Sequence, residues 1–279
     1  MADRIETAEA LAIAREAAAD AVTVLRARLA DADAAGAARK QARDFVTIAD
    51  EAAEAVIVAR LERAYPDHAI VAEESGGRDR ASPWRWLVDP LDGTTNFVHA
   101  FPVFAVSIAL FRDETPVLGL VVDVVRGEWF TARTGEGAWV DDGDPDAGQR
   151  RMHVSTIDDP ERRLVATGFP FRWPELTDLY LGAFRDVFEQ VGDMRRAGAA
   201  ALDLAWTAAG RLDGFWEIGL SPWDLAGGEV LILEAGGEIT DWTGGRDHRR
   251  TGWVAAGSPA VHAMLVETLA PYVEETTGG

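Results

Sequence analysis

Between Val71 and Phe97 the chain reads VAEESGGRDRASPWRWLVDPLDGTTNF, which gathers Glu73, Glu74, Asp89 and Asp92 into one short span. Two of these acids adjoin an apolar run, where an unpaired carboxylate is costly to bury. Two readings fit: a strand ending in an acidic surface turn, or a cage of oxygen ligands for hard divalent cations with a phosphate-holding turn attached. In WLVDPLDGTTNF, Asp89 ends a strand and Pro90 breaks it. Gly93 then permits a tight turn, and Thr94, Thr95 and Asn96 can start a helix or stack their amides as an anion-binding nest. Asp-x-x-Asp across such a turn can aim both carboxylates at one point, and the backbone carbonyl of Leu91 between them is a further hard ligand. Oxygen-only ligation selects Mg²⁺ or Mn²⁺ over zinc or copper.

A second acid stands far downstream in FWEIGLSPWDLAGGEVLILEAGG, where Asp224 follows Trp223 at the start of an apolar helix. The helix dipole favours a carboxylate there, which alone makes Asp224 a common kind of helix-start acid. The five histidines never pair at metal-ligand spacing, so ordinary surface and core roles suit them. Ser75 and Ser221 have no histidine in a suggestive context, which disfavours a serine nucleophile. The tryptophans read as core or subunit-contact residues. Arg195 and Arg196 suit structure or an interface, with substrate contact as the alternative.

The elements that must position these groups alternate along the chain. Residues 4–30 carry Leu11, Val22, Leu25 and Leu29 at helical spacing, and a second helical pattern runs from Thr47 to Tyr65. Between them, 31–40 reads as an exposed acidic loop. HAIVAEE, WRWLVD, FAVSIALF, VLGLVVDVV and EWFTAR read as strands, and the short turns joining the last three predict antiparallel neighbours. The Asp-, Gly- and Pro-rich segment 141–149 is the most linker-like, dividing an antiparallel-rich half, 1–148, from an α/β half, 149–279. In the second half strands at RRLVATGF, GFWEIG, GEITDW and WVAAGS alternate with helices near 174–191, 199–210, 223–235 and 259–275.

Composition narrows the partners. A length of 279 residues with 48% hydrophobic content suits a folded protein with a substantial core. The formal net charge of -20 argues against direct binding to nucleic acid or to an anionic membrane. The start carries charges throughout, without the apolar stretch of a signal peptide, and no run approaches the ~18 residues of a membrane span. With no cysteine, thiolate chemistry is excluded, and a cytoplasmic location is expected. Lys40 is the only lysine among 27 basic residues. Acid excess with few lysines suits life at high salt; a GC-rich genome explains the arginines but not the acids.

AEES, DPLDGTTNFVHAFPVFAVSIAL and PWDLAGGEVLILEAGG occur in this order, with DFVTIADEAAE upstream and FTARTGEGAW, ATGFPFR and MRRAGAAALDLAWTAAGRLDGFWEIGL between them. The chain from about residue 40 onward thus resembles the inositol monophosphatase family of Mg²⁺-dependent, lithium-sensitive phosphatases, its bacterial inositol-1-monophosphatase branch above all. The resemblance implies a mixed α+β fold, a five-layer α/β/α/β/α sandwich, and a homodimer. It implies a first Mg²⁺ held by Glu73, Asp89 and the Leu91 carbonyl, and a second held by Asp89, Asp92 and Asp224. A third, weaker ion would lean on Glu73 through waters, and Mn²⁺ is a possible substitute. Thr94, supported by Asp50, would activate the attacking water, and Gly93 and Thr94 would offer amides to the phosphate. Asp92, Ala200, Glu217 and Asp224 match positions that contact substrate hydroxyls. The implied reaction is hydrolysis of a phosphate monoester, myo-inositol 1-phosphate first, with fructose-1,6-bisphosphate, histidinol phosphate or nucleotide 3′-phosphates as alternatives on the same cage. A protein-binding role in transcription antitermination is the alternative of another class. Two departures stand out: Gly227 replaces the usual alanine, which is expected to loosen that helix, and the basic residue of the family's mobile loop falls on Arg39 or Lys40.

Overall fold

The computed structural model describes residues 6–30, 38–41, 44–46 and 48–277. The acidic stretch 31–37 and Thr47 lie outside the described residues, as do residues 4 and 5 and the side chains of Arg39 and Lys40. Helices α1 (Thr7–Ala30) and α2 (Ile48–Ala64) enclose in sequence the hairpin of β1 (Ala38–Gln41) and β2 (Asp44–Val46). A seven-stranded sheet follows: β3 (Ala69–Ala72), β4 (Trp84–Asp92), β5 (Ala105–Arg112), β6 (Thr115–Asp123), β7 (Glu128–Arg133), β8 (Gly137–Asp141) and β9 (Arg150–Arg151), in that spatial order. Helix α3 (Thr94–Val98) links β4 to β5, and α4 (Pro145–Gly148) lies between β8 and β9. The five-stranded sheet holds β10 (Leu164–Thr167), β11 (Asp193–Arg195), β12 (Gly214–Glu217), β13 (Glu238–Thr240) and β14 (Val254–Gly257), ordered 11-10-12-14-13. Its helices are α5 (Thr177–Phe188), α6 (Ala200–Ala208), α7 (Pro222–Glu234), α8 (His248–Thr251) and α9 (Pro259–Thr277).

The layers run α1/α2, large sheet, α6/α7, small sheet, α5/α9, which is the five-layer arrangement. It explains why β5 reads as a continuous apolar run. Val106, Ile108 and Leu110 pack toward α1 and α2, while Ala105, Ala109 and Phe111 pack toward the middle helices, so both faces are buried. The strands β5, β6 and β7 are antiparallel neighbours as expected. In the small sheet β10 pairs in parallel with β11 and β12, and the rest is antiparallel. The pairing of β9 with β8 carries the large sheet past the linker-like segment to Arg151. One expectation fails at Pro90: β4 continues through it to Asp92, with a register shift between Asp89 and Asp92. A residue without an N–H is tolerated at such an irregularity, because no ladder bond is demanded of it.

The middle helix α7 is buried on nearly every side, as a helix between two sheets must be. Its seating corrects the expectation for Gly227. A Cβ on Gly227 would stand 2.6 Å from Ser107 Oγ, and one on Gly119 would stand 2.5 Å from the Gly227 carbonyl oxygen. The glycine therefore lets the helix backbone lie close against β5 and β6 rather than loosening it.

Near the edge of the large sheet, Trp86 Nε1 donates to His68 Nδ1 at 3.1 Å, and the imidazole stacks on Tyr65 with centroids 4.7 Å apart. Burial holds His68 below the usual histidine range, against the opposing charge of Asp67. The folded state thus favours the neutral ring, whose Nδ1 must accept. Because the folded value lies below the unfolded one, this stability is complete above about pH 6.5 and declines as pH falls through that value toward the folded one. In urea titrations between pH 7.5 and 5, His68→Gln should lack the part of the acid-side loss that His68 contributes, so the stability difference between wild type and variant should shrink as pH falls; a difference that does not change with pH would remove His68 as a contributor.

Candidate active site

The register shift in β4 turns the end of the strand into a corner. Asp89 is 1% exposed and its Oδ1 accepts the Leu91 N–H at 3.0 Å, which fixes the rotamer. Gly93 then takes φ 91°, and an added Cβ there would meet the Val103 carbonyl oxygen at 2.9 Å, so only glycine fits the turn. Thr94 opens α3, and its hydroxyl lies between Asp50 Oδ1 at 3.0 Å and the Leu91 carbonyl oxygen at 3.1 Å. Asp50 is fully buried at the start of α2.

Asp224 comes from the first turn of α7, where its Oδ2 accepts the Ser221 N–H at 2.8 Å. Glu73, Asp89 and Asp224 bring one carboxylate oxygen each within 4.8 Å of one another. Asp92 stands beside this trio with its Oδ2 taking the Ala201 N–H at 2.7 Å, at the start of α6. A pocket of about 390 Å³ opens over these groups, and Gly93, Ala200 and Glu217 also line it. All the site residues read from the sequence lie in this pocket except Asp50, which reaches it through Thr94. No histidine lines it.

The charges in the pocket are poorly balanced. Burial, then the neighbouring Glu73, Asp92 and Asp224, push Asp89 well above the usual carboxylate range. Asp92 and Asp224 are each pushed up to about 6, chiefly by burial. Glu217 is pushed up to about 8, again by burial, although Arg196 opposes it. Carboxylates crowded in this way repel one another unless protonated or shared with a cation. Their donor atoms are all oxygen and include the Leu91 carbonyl at the same corner, so the residues present fit a hard divalent ion.

Glu54 and Arg172 escaped the sequence reading. Glu54 is 3% exposed and accepts the backbone N–H groups of Glu74 at 2.6 Å and Ser75 at 2.8 Å. It pins the turn that carries Glu73, and its spacing of four from Asp50 on α2 was a usable signal. Arg172 reaches Glu73 at 3.9 Å. Arg196 lines the pocket and lies over the Phe169 ring at 5.0 Å, whereas Arg195 pairs outside with Asp193 at 2.6 Å. Asn96 Nδ2 donates to Val103 at 2.7 Å and to Ala197 at 3.0 Å, joining α3 to the turn before α6. Gln at position 54 keeps one acceptor and turns a donor toward the second N–H. Glu54→Gln is expected to weaken Mg²⁺ binding ~10-fold by calorimetry, as loss of an outer support does, with kcat at saturating Mg²⁺ changed far less. Unaltered affinity would deny Glu54 this role.

The profile of the inositol monophosphatase family matches residues 6–274. The Nus factor SuhB of Salmonella typhimurium is 45% identical over 259 residues, covering 91% of this chain and 94% of that protein. Among solved structures, the extragenic suppressor protein suhB from Bartonella henselae superposes with a TM-score of 0.87 at 38% identity, covering 94% of this chain and 98% of its own. The inositol monophosphatase from Anabaena gives 0.82 at 35% identity, covering 96% and 97%. On its fold, the layout of its acidic pocket and this match along nearly all its length, the chain belongs to the inositol monophosphatase family.

Proposed function

We propose that the protein hydrolyses a phosphate monoester of a polyol or sugar, with myo-inositol 1-phosphate the leading substrate. The observation that carries this reading is the joining, in one pocket, of the Glu73–Asp89–Asp224 cluster, the Thr94–Asp50 hydrogen bond and the buried Glu217. Glu73, Asp89, Asp92, Asp224 and the Leu91 carbonyl would hold two Mg²⁺ ions, with a third more weakly held near Glu73. Magnesium bound there would acidify water and neutralise charge on the phosphoryl group and the leaving oxygen. The side chains of the chain do the rest. Thr94 Oγ accepts a proton from the attacking water as its own passes to Asp50 Oδ1. The water oxygen forms the new P–O bond, the ester P–O bond breaks, and solvent protonates the departing alkoxide. Gly93 and Thr94 would orient the phosphate through their amides, while Ala200, Glu217, Asp92 and Asp224 would read the hydroxyls of the leaving group.

The same proposal includes lithium inhibition, Mn²⁺ as a substitute, a homodimer, and an acidic surface adapted to high salt. The cage is common to several substrates, so fructose-1,6-bisphosphate, histidinol phosphate and nucleotide 3′-phosphates belong in any test. Phosphate release is expected from inositol 1-phosphate ahead of this panel with Mg²⁺, and none in excess chelator. Full turnover in chelator would sink the metal reading, and preference for another ester would replace the substrate. A second reading rests on the relatives bearing the name Nus factor: a protein-binding role in transcription, for which the net charge of -20 favours a protein partner over direct RNA contact. Retention by RNA polymerase without turnover of any ester would favour it.

A further inference from the structure

Arg172 lies in the turn that follows β10, where the Phe171 N–H donates to the Phe169 carbonyl at 2.7 Å and the Trp173 N–H to the Pro170 carbonyl at 2.9 Å. The backbone is thereby held, and the guanidinium carbon stands 5.2 Å from the centre of the Phe171 ring. Of the two arginines lining the pocket, Arg172 is the one that meets the acidic trio, with Nη2 3.9 Å from Glu73 Oε1. The arginine side chain is 29% exposed, so it has room to turn within the pocket. Burial raises Asp92, Asp224 and Glu217, and the charge of Arg172 opposes it at all three. A guanidinium so placed gives the acids part of the positive charge that a bound cation would bring. It is also a poor neighbour for Mg²⁺, because two cations beside one carboxylate repel each other. A phosphoryl group seated over Glu73, Asp89 and Asp224 resolves that conflict. It offers negative charge within reach, and its oxygens match the guanidinium fork.

We propose that Arg172 is a phosphate-binding residue that alternates between two anions: Glu73 in the metal-free pocket, and an oxygen of the phosphoryl group once Mg²⁺ holds Glu73. This rests on the reading that the phosphate sits over the acidic cluster. Metal and phosphate binding are then linked through one side chain. Mg²⁺ displaces the arginine from Glu73, and the displaced arginine strengthens the hold on phosphate.

The test titrates wild type, Arg172→Met and Arg172→Lys by calorimetry at one fixed ionic strength. Mg²⁺ is titrated alone, and inorganic phosphate is then titrated into protein saturated with Mg²⁺. Arg172→Met keeps an apolar stem beside Phe171 and removes the charge. It should bind Mg²⁺ ~5-fold more tightly than wild type, the size of a partly exposed ion pair. It should bind phosphate ~10-fold more weakly, the size of a lost hydrogen bond to a charged group. Arg172→Lys, which keeps the charge without the fork, should return Mg²⁺ affinity toward wild type and recover part of the phosphate binding. The opposite signs separate this role from a structural one, since a disturbed pocket weakens both ligands together. Unchanged or weaker Mg²⁺ binding in Arg172→Met, unchanged phosphate binding, or a Lys variant no different from the Met variant would overturn the proposal. In turnover, kcat/KM for Arg172→Met should fall ~10-fold on polyol phosphates and on p-nitrophenyl phosphate alike. A loss confined to the polyol esters would place Arg172 against the leaving group and also overturn it. Neither titration needs turnover, so failure of every ester in the panel by itself defeats only the hydrolysis reading.

Discussion

Asp89→Asn is expected to give a folded protein that no longer takes up Mg²⁺ and has lost hydrolysis by ~10³-fold or more, equivalent to ~4 kcal/mol of transition-state stabilisation. The substitution keeps an acceptor for the Leu91 N–H, so the corner at the end of β4 has a reason to persist. What disappears is the negative charge at the centre of the cluster formed with Glu73 and Asp224. The same variant should be more stable than wild type without metal. In the folded chain Asp92 and Asp224 titrate near 6 against an ordinary 3.8, so protonation favours the fold. That contribution is complete below about pH 4 and is lost as pH rises toward about 6. Metal-free wild type should therefore weaken across this window, and removing the Asp89 carboxyl, itself held well above the usual range chiefly by burial, should flatten the decline and raise the melting temperature at pH 7 by ~2 °C or more. Melting curves with chelator and with Mg²⁺ provide the check. A variant that still gains stability from Mg²⁺ as wild type does would show that Asp89 is not a ligand.

Asp50→Asn should separate chemistry from metal binding. Asp50 meets the Thr94 hydroxyl at 3.0 Å without itself lining the pocket, and asparagine preserves its size but cannot accept the proton. Loss of a general base of this kind lowers kcat by ~10²–10⁴. Mg²⁺ affinity should change little, since the Glu73–Asp89–Asp224 trio is untouched. Calorimetry together with steady-state kinetics decides the matter. If Asp50→Asn loses metal as badly as Asp89→Asn while turnover at saturating Mg²⁺ survives, Asp50 is itself a ligand.

These roles were legible through a family resemblance carried by short runs of unusual residue types; on its own, Asp224 reads as an ordinary helix-start acid. Asp89, Asp92, Gly93 and Thr94 are near neighbours in the chain and Glu73 is close by, so among the cage carboxylates only Asp224 had to be brought from afar. The central strands were legible for a related reason: burial on two faces writes β5 and β6 as long apolar runs. The polar strands β9 and β11 carry no such mark, and their pairing is imposed by β8 and β10. Gly168 was illegible because its significance lies in the Glu217 carboxyl, 2.0 Å from where a Cβ would stand, which sequence distance hides. Gly227 was misread for the same reason, since its meaning comes from Ser107 and Gly119 on the neighbouring strands.

The placement of Asp224 at the head of the middle layer bears on how the molecule assembles. Its partners Glu73 and Asp89 belong to the first third of the chain, so no local segment can form the cluster, and closing so long a loop is a slow entropic step. The large sheet can pair most of its strands as successive hairpins before α7 arrives between the sheets. The binding site is then among the last features to form, and a nascent or misfolded chain holds only scattered acids with weak hold on divalent ions. Magnesium uptake in a refolding experiment would accordingly report docking of the two sheets rather than collapse of either one.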